Sequence, residues 1–109
     1  MIVTVTYGVK SSELVAARDR VAQVSGMKPI AREALSLGGD YYAFERENGD
    51  RLELLNNNDP IDDEPIYRKF AEWKFLLIVE TDQPVTSLLQ ALDHASTHFI
   101  RLDTKTSNA

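Results

Sequence analysis

The sequence predicts an α+β fold in which two helices cover one face of a mostly antiparallel sheet. Three observations carry that expectation. The chain opens with strict alternation of apolar and polar β-formers, two amphipathic stretches at helical spacing lie toward its ends, and a glycine-centred hairpin stands between them. At 109 residues the chain fits one core. The expectation is a single domain over residues 1–103 followed by a disordered polar tail, 104–109.

Residues 2–8, IVTVTYG, set Ile2, Thr4 and Thr6 against Val3, Val5 and Tyr7 and read as a strand. Ser11 or Ser12 is placed to cap a helix, with Glu13 in a first turn whose dipole favours an acid. Leu14, Ala17, Val21 and Val24 recur at helical spacing with Val15 and Ala22 beside them, and Gly26 suits a left-handed helix end. The apolar residues of 29–37 fit either period; Pro29 and the need for sheet partners favour a strand. Within it begins LGGDYY, 37–42, whose paired glycines open onto a strand rather than a helix, so they mark a tight turn and not a phosphate cradle.

The stretch YYAFERENGDRLELL reads as a hairpin. A two-residue Asn48-Gly49 turn would set Phe44 against Glu53. A three-residue loop, Glu47-Asn48-Gly49 with Gly49 left-handed, pairs Arg46 with Asp50, Glu45 with Arg51, Phe44 with Leu52 and Tyr42 with Leu54. That register puts apolar residues on one face and opposite charges on the rims. A long connection then runs to about Trp73, of the kind that often carries function. KFLLIVE, 74–80, is a central strand, Thr81 or Asp82 caps a second helix with Pro84 near its first turn, and Val85, Leu88, Leu89, Leu92 and Ala95 form its buried stripe. THFIRLD, 97–103, is the last strand. The order β-α-β-β-β-β-α-β is that of a ferredoxin-like sandwich variant with an extra hairpin, its second sheet face open or paired.

Composition excludes several chemistries. Without cysteine there are no disulfides, thiolate metal sites or cysteine nucleophile. The alternating N-terminus is not a signal peptide, and no run approaches the ~20 apolar residues of a membrane span, so the expectation is a cytoplasmic protein without membrane partners. His94 and His98 are spaced for two ligands on one helix, but they straddle a helix-to-strand junction and have no third ligand nearby; they read as helix-end or surface residues. No nucleophile elbow, zinc-protease motif or P-loop occurs. The expectation is therefore no enzyme activity, no catalytic residue, no cofactor and no metal.

The charge is distributed unevenly. The formal net charge is −5, and NNNDPIDDEP, 56–65, holds four of the 17 acidic residues and no basic one; the remaining 13 acids face 12 bases. A net-negative chain without a basic cluster is a poor nucleic-acid binder. Asp59, Asp62, Asp63 and Glu64 lack the alternating order and central glycine of a calcium loop. An acidic patch of this kind steers a basic protein partner. Tyr67, Phe70 and Trp73 follow at spacing three. Phe70 and Trp73 read as core rings, and Tyr67, beside Arg68 and Lys69, as an exposed anchor.

LGGDYYAF, NNNDPIDDEP and KFLLIVE, between an N-terminal β-α unit and a C-terminal α-β unit, resemble small bacterial immunity proteins of polymorphic toxin and contact-dependent growth inhibition systems. The resemblance implies a non-catalytic inhibitor of a cognate toxin domain, often a nuclease with a basic groove. The expected contact surface is Asp59, Ile61, Asp62, Asp63, Glu64 and Tyr67, on a monomer or weak homodimer. Two other readings stay open. One is a small-ligand or regulatory module using the open sheet face, with a pocket of Tyr7, Tyr42 and Arg46. The other is an enzyme whose site is assembled from distant residues.

Overall fold

The computed structural model describes residues 1–45 and 49–108. The elements follow the order β1 (Ile2–Val9), α1 (Leu14–Ser25), β2 (Pro29–Ala34), β3 (Gly39–Glu45), β4 (Arg51–Asn56), β5 (Phe75–Thr81), α2 (Ser87–His94) and β6 (Phe99–Ser107). The six strands form one sheet in the order β2-β3-β4-β5-β1-β6, each pair antiparallel. The strands β5 and β6 run parallel to each other with β1 between them, joined by α2. Taking out the β3–β4 hairpin leaves the interleaved order of a ferredoxin-like sandwich.

Period-two alternation decides which side chains meet the helices. Val3, Val5, Tyr7 and Val9 of β1 lie beside Leu77, Val79 and Phe75 of β5 and Leu52 and Leu54 of β4. All are buried under Ala17 and Val21 of α1 and Leu88, Leu89 and Leu92 of α2. Tyr7 reaches through this core. Its hydroxyl donates to Asp93 Oδ1 of α2 at 2.9 Å, and Arg101 of β6 donates to both oxygens of the same carboxylate, at 3.2 and 2.7 Å. One carboxylate thus ties β1, α2 and β6 together. Burial pushes the Tyr7 phenol well above its ordinary value, and the hydrogen bond to Asp93 pushes it further.

The hairpin register holds where it is described: Tyr42 faces Leu54, Phe44 faces Leu52 and Glu45 faces Arg51, and Gly49 is left-handed at φ 90°. The expected Arg46–Asp50 pair lies outside the described residues. Gly26 ends α1 at φ 70°, as its position predicts.

Other boundaries move. The helix α1 begins after Glu13, which is its N-cap without a side-chain bond, because the Ser11 hydroxyl turns back onto the backbone of Glu13. The helix α2 is capped by Thr86, whose oxygen accepts from the Leu89 N–H at 3.1 Å, and not by Thr81 or Asp82. Thr81 is still in β5 and donates to the Gln83 carbonyl. Val85 therefore precedes the helix and is exposed. The strand β2 stops at Ala34, where one 3-10 turn, Leu35–Leu37, leads into left-handed Gly38 and Gly39.

The expected disordered tail is the clearest correction. Thr104 to Ser107 continue β6 and pair with Ile2 to Val5. A register shift between Thr6 and Tyr7 leaves Leu102 as the extra residue of β6, so Tyr7 still pairs with Arg101 and Thr6 with Asp103. No helix among the described residues is long and apolar enough to cross a membrane.

Candidate functional site

The second sheet face is neither fully open nor paired with another sheet. The connection between β4 and β5, residues 57–74, folds back over part of it. Buried Asn57 holds that connection in place. Its Nδ2 reaches the carbonyls of Tyr67, Phe70 and Trp73 at 3.3, 3.0 and 3.2 Å, while its Oδ1 accepts from the Tyr67 N–H at 2.8 Å. Its own N–H donates to the Lys74 carbonyl at 2.8 Å. The second half of an 18-residue segment thus converges on the amide side chain of its first residue. The Trp73 indole covers Gly8 of β1 so closely that any side chain there would overlap the ring. Leu55 and Leu76 are fully buried on this face, outside the cluster beneath the helices.

The acidic stretch forms a compact turn on this frame. Asp59 Oδ1 accepts from the N–H groups of Ile61 and Asp62 at 2.9 and 3.3 Å. The Asp59 N–H donates to the Glu64 carbonyl at 2.7 Å, and the Asp63 N–H to the Asp59 carbonyl at 2.8 Å. Asp63 sits left-handed at φ 53°, a conformation aspartate tolerates better than most residues. Asp59 is therefore half-buried and holds the turn together. Ile61, Asp62, Asp63 and Glu64 face solvent, Ile61 with 72% of its surface exposed. The Glu64 carboxylate meets Arg68 at 3.2 Å, an exposed pair worth little to stability.

Tyr67 does not join this tip. It lies ten residues from Asn57 along the chain, bonded to it through the backbone, and its ring is a wall of a groove of about 500 Å³. Ile66, Arg68, Lys69 and Phe70 complete that wall; Thr4, Thr6, Ile78, Asp103 and Lys105 come from the sheet. Burial pushes the Tyr67 phenol up, and the Glu53 carboxylate pushes it further, so its hydroxyl keeps its proton. The connection thus has an acidic end, 59–64, and a basic end, where Arg68 and Lys69 stand over the sheet with Lys105.

Of the expected pocket of Tyr7, Tyr42 and Arg46, the two described residues are turned elsewhere: Tyr7 faces the helices, and the Tyr42 hydroxyl lies 3.4 Å from Arg18 of α1 under its guanidinium. Arg46 is outside the described residues. His94 ends α2, and the His98 carbonyl accepts from the Lys10 N–H. Among the described residues no three side chains of metal-ligating type converge.

The sequence does not reveal Asn57, Gly8, Asp103 or Lys105. Asn57 is one of three consecutive asparagines, and Lys105 lies in the polar stretch read as tail. The threonines flanking Lys105 were the only signal of a strand there. No family model matches the chain, and no curated protein matches it.

Proposed function

We propose that this protein is a non-catalytic binding module that captures a basic protein surface, as an immunity protein does when it neutralises a cognate toxin domain. The observation that carries the reading is the acidic turn held out from the sheet on a fixed frame. Asp62, Asp63 and Glu64 follow an exposed isoleucine in the same turn, so opposite charge speeds the encounter and Ile61 supplies an apolar anchor that slows release. Preorganisation favours this use. The turn is closed by its own hydrogen bonds and the connection is held by Asn57, so little ordering entropy is lost on binding. A nuclease groove, shaped for phosphates, is the kind of surface such a tip fits.

The test is protection in cells. The proposal predicts that the adjacent reading frame encodes a toxin domain, and that co-expression of the chain with it restores growth. A variant carrying Ile61→Ala, Asp62→Asn, Asp63→Asn and Glu64→Gln is expected to lose protection at unchanged abundance. Full protection by that variant would remove the acidic turn from the account.

A further inference from the structure

We infer that the groove between the connection and the second sheet face is a binding site for a small amphipathic carboxylate, one with an apolar tail and a single negative charge. This inference concerns a different surface from the acidic turn and stands without the toxin reading.

The groove has the size of a small-molecule site, about 500 Å³. Its lining divides by chemistry. Ile66, Tyr67, Phe70 and Ile78 give it an apolar interior, and Thr4 and Thr6 project from β1 onto the same face. Lys69 comes from the connection and Lys105 from β6, and both stand 4.0 Å from one carboxylate, Asp103. That distance is the limit of an ion pair, and the two ammonium groups are largely exposed. Asp103 against the two lysines leaves one positive charge beside an apolar cleft, with Glu53 acting on Tyr67 as the further acid nearby, on a chain that is otherwise net negative. Arg68 adds a third cation, shared with Glu64.

That balance fits a carboxylate better than a phosphate. A monoanion matches a single uncompensated positive charge, whereas a phosphate monoester brings nearly two negative charges to it. Both α-helices lie on the opposite face, so neither α-helix N-terminus points into the groove. The apolar tail would lie against Ile78 and Phe70, its carboxylate on the exposed sides of the Lys69 and Lys105 ammonium groups, away from Asp103.

Sodium decanoate, below its micelle concentration, is the probe, and 1-decanol its uncharged counterpart. Titration of the isotope-labelled full chain is expected to give saturable 1:1 binding, with amide shifts confined to β1, β5, β6 and residues 66–70. Decanol is expected to bind roughly tenfold more weakly, and so is decanoate to the Lys69→Glu/Lys105→Glu variant, since reversing two partly exposed charges is an effect of that order. Thr4→Phe, which fills the groove, is expected to abolish the shifts while the circular dichroism stays unchanged. Shifts that do not saturate, that spread over the helices, or that survive both variants overturn the inference, as does equal affinity for decanoate and decanol.

Discussion

The Trp73 indole occupies the space that a side chain at residue 8 would need. Sixty-five positions apart in the chain, these two residues decide where the β4–β5 connection lies. Gly8→Ala is expected to lower stability by about 2 kcal/mol through overpacking. Because Trp73 is the single tryptophan, its fluorescence reports the change directly, as a shift to longer wavelength. The double variant Gly8→Ala/Trp73→Ala is expected to lose less than the two single losses together; additive losses in denaturant unfolding would show that the two sites are independent.

Asn57 makes the second prediction. Asn57→Ala strips a buried hub of its side-chain bonds to three carbonyls and one N–H, and is expected to cost about 3 kcal/mol. Asn57→Asp keeps the acceptor but sets a charge against the three carbonyls, so it is not expected to rescue the loss. Hydrogen exchange resolved by residue should quicken across 66–74 while β1 and β5 stay protected. Uniform quickening would mean that the connection and the sheet open together.

Tyr7 predicts a loss of stability on the alkaline side. Its phenol is held above the ordinary value near 10 in the folded protein. Above that pH the unfolded chain releases this proton and the folded protein retains it. The folded state then binds more protons, so stability falls as pH rises. The contribution is fully present below pH 10 and declines above it, by at most about 1.4 kcal/mol per pH unit for this one proton. Tyr7→Phe is expected to lower stability near neutral pH by about 1 kcal/mol, through the lost bond to Asp93, and to flatten the alkaline slope. Equal slopes in chemical denaturation from pH 9 to 11 would contradict the assignment.

Asp59 and its acidic neighbours are expected to separate. Asp62→Asn, Asp63→Asn and Glu64→Gln together are expected to change stability by less than about 0.5 kcal/mol, since these groups are exposed. Asp59→Ala removes the acceptor for two N–H groups and is expected to cost about 1 kcal/mol, whereas Asp59→Asn keeps that acceptor and is expected to be nearly neutral. Thermal unfolding of the three proteins checks the order.

Local signals carried much of this fold. Gly26 and Gly49 needed positive φ, and the pairing of Phe44 with Leu52 followed from which register keeps apolar residues on one face. What failed depended on distant partners. Thr104 to Ser107 carry no apolar alternation, and only the free edge of β1 makes them a strand. Thr86 took the cap because Thr81 was held in β5 through its pairing with Val3. The acidic turn was legible as a charge imbalance, but its frame was not: one buried asparagine in a row of three looks like its neighbours until Tyr67, Phe70 and Trp73 fold back onto it.

Calorimetric titration of this protein with the product of the adjacent reading frame, which the account predicts to be a toxin domain, at low and at physiological salt, tests the central claim most directly. The account predicts 1:1 binding that weakens as salt rises, and weakens at low salt when Asp62, Asp63 and Glu64 are neutralised. Absence of binding at either salt concentration would contradict it.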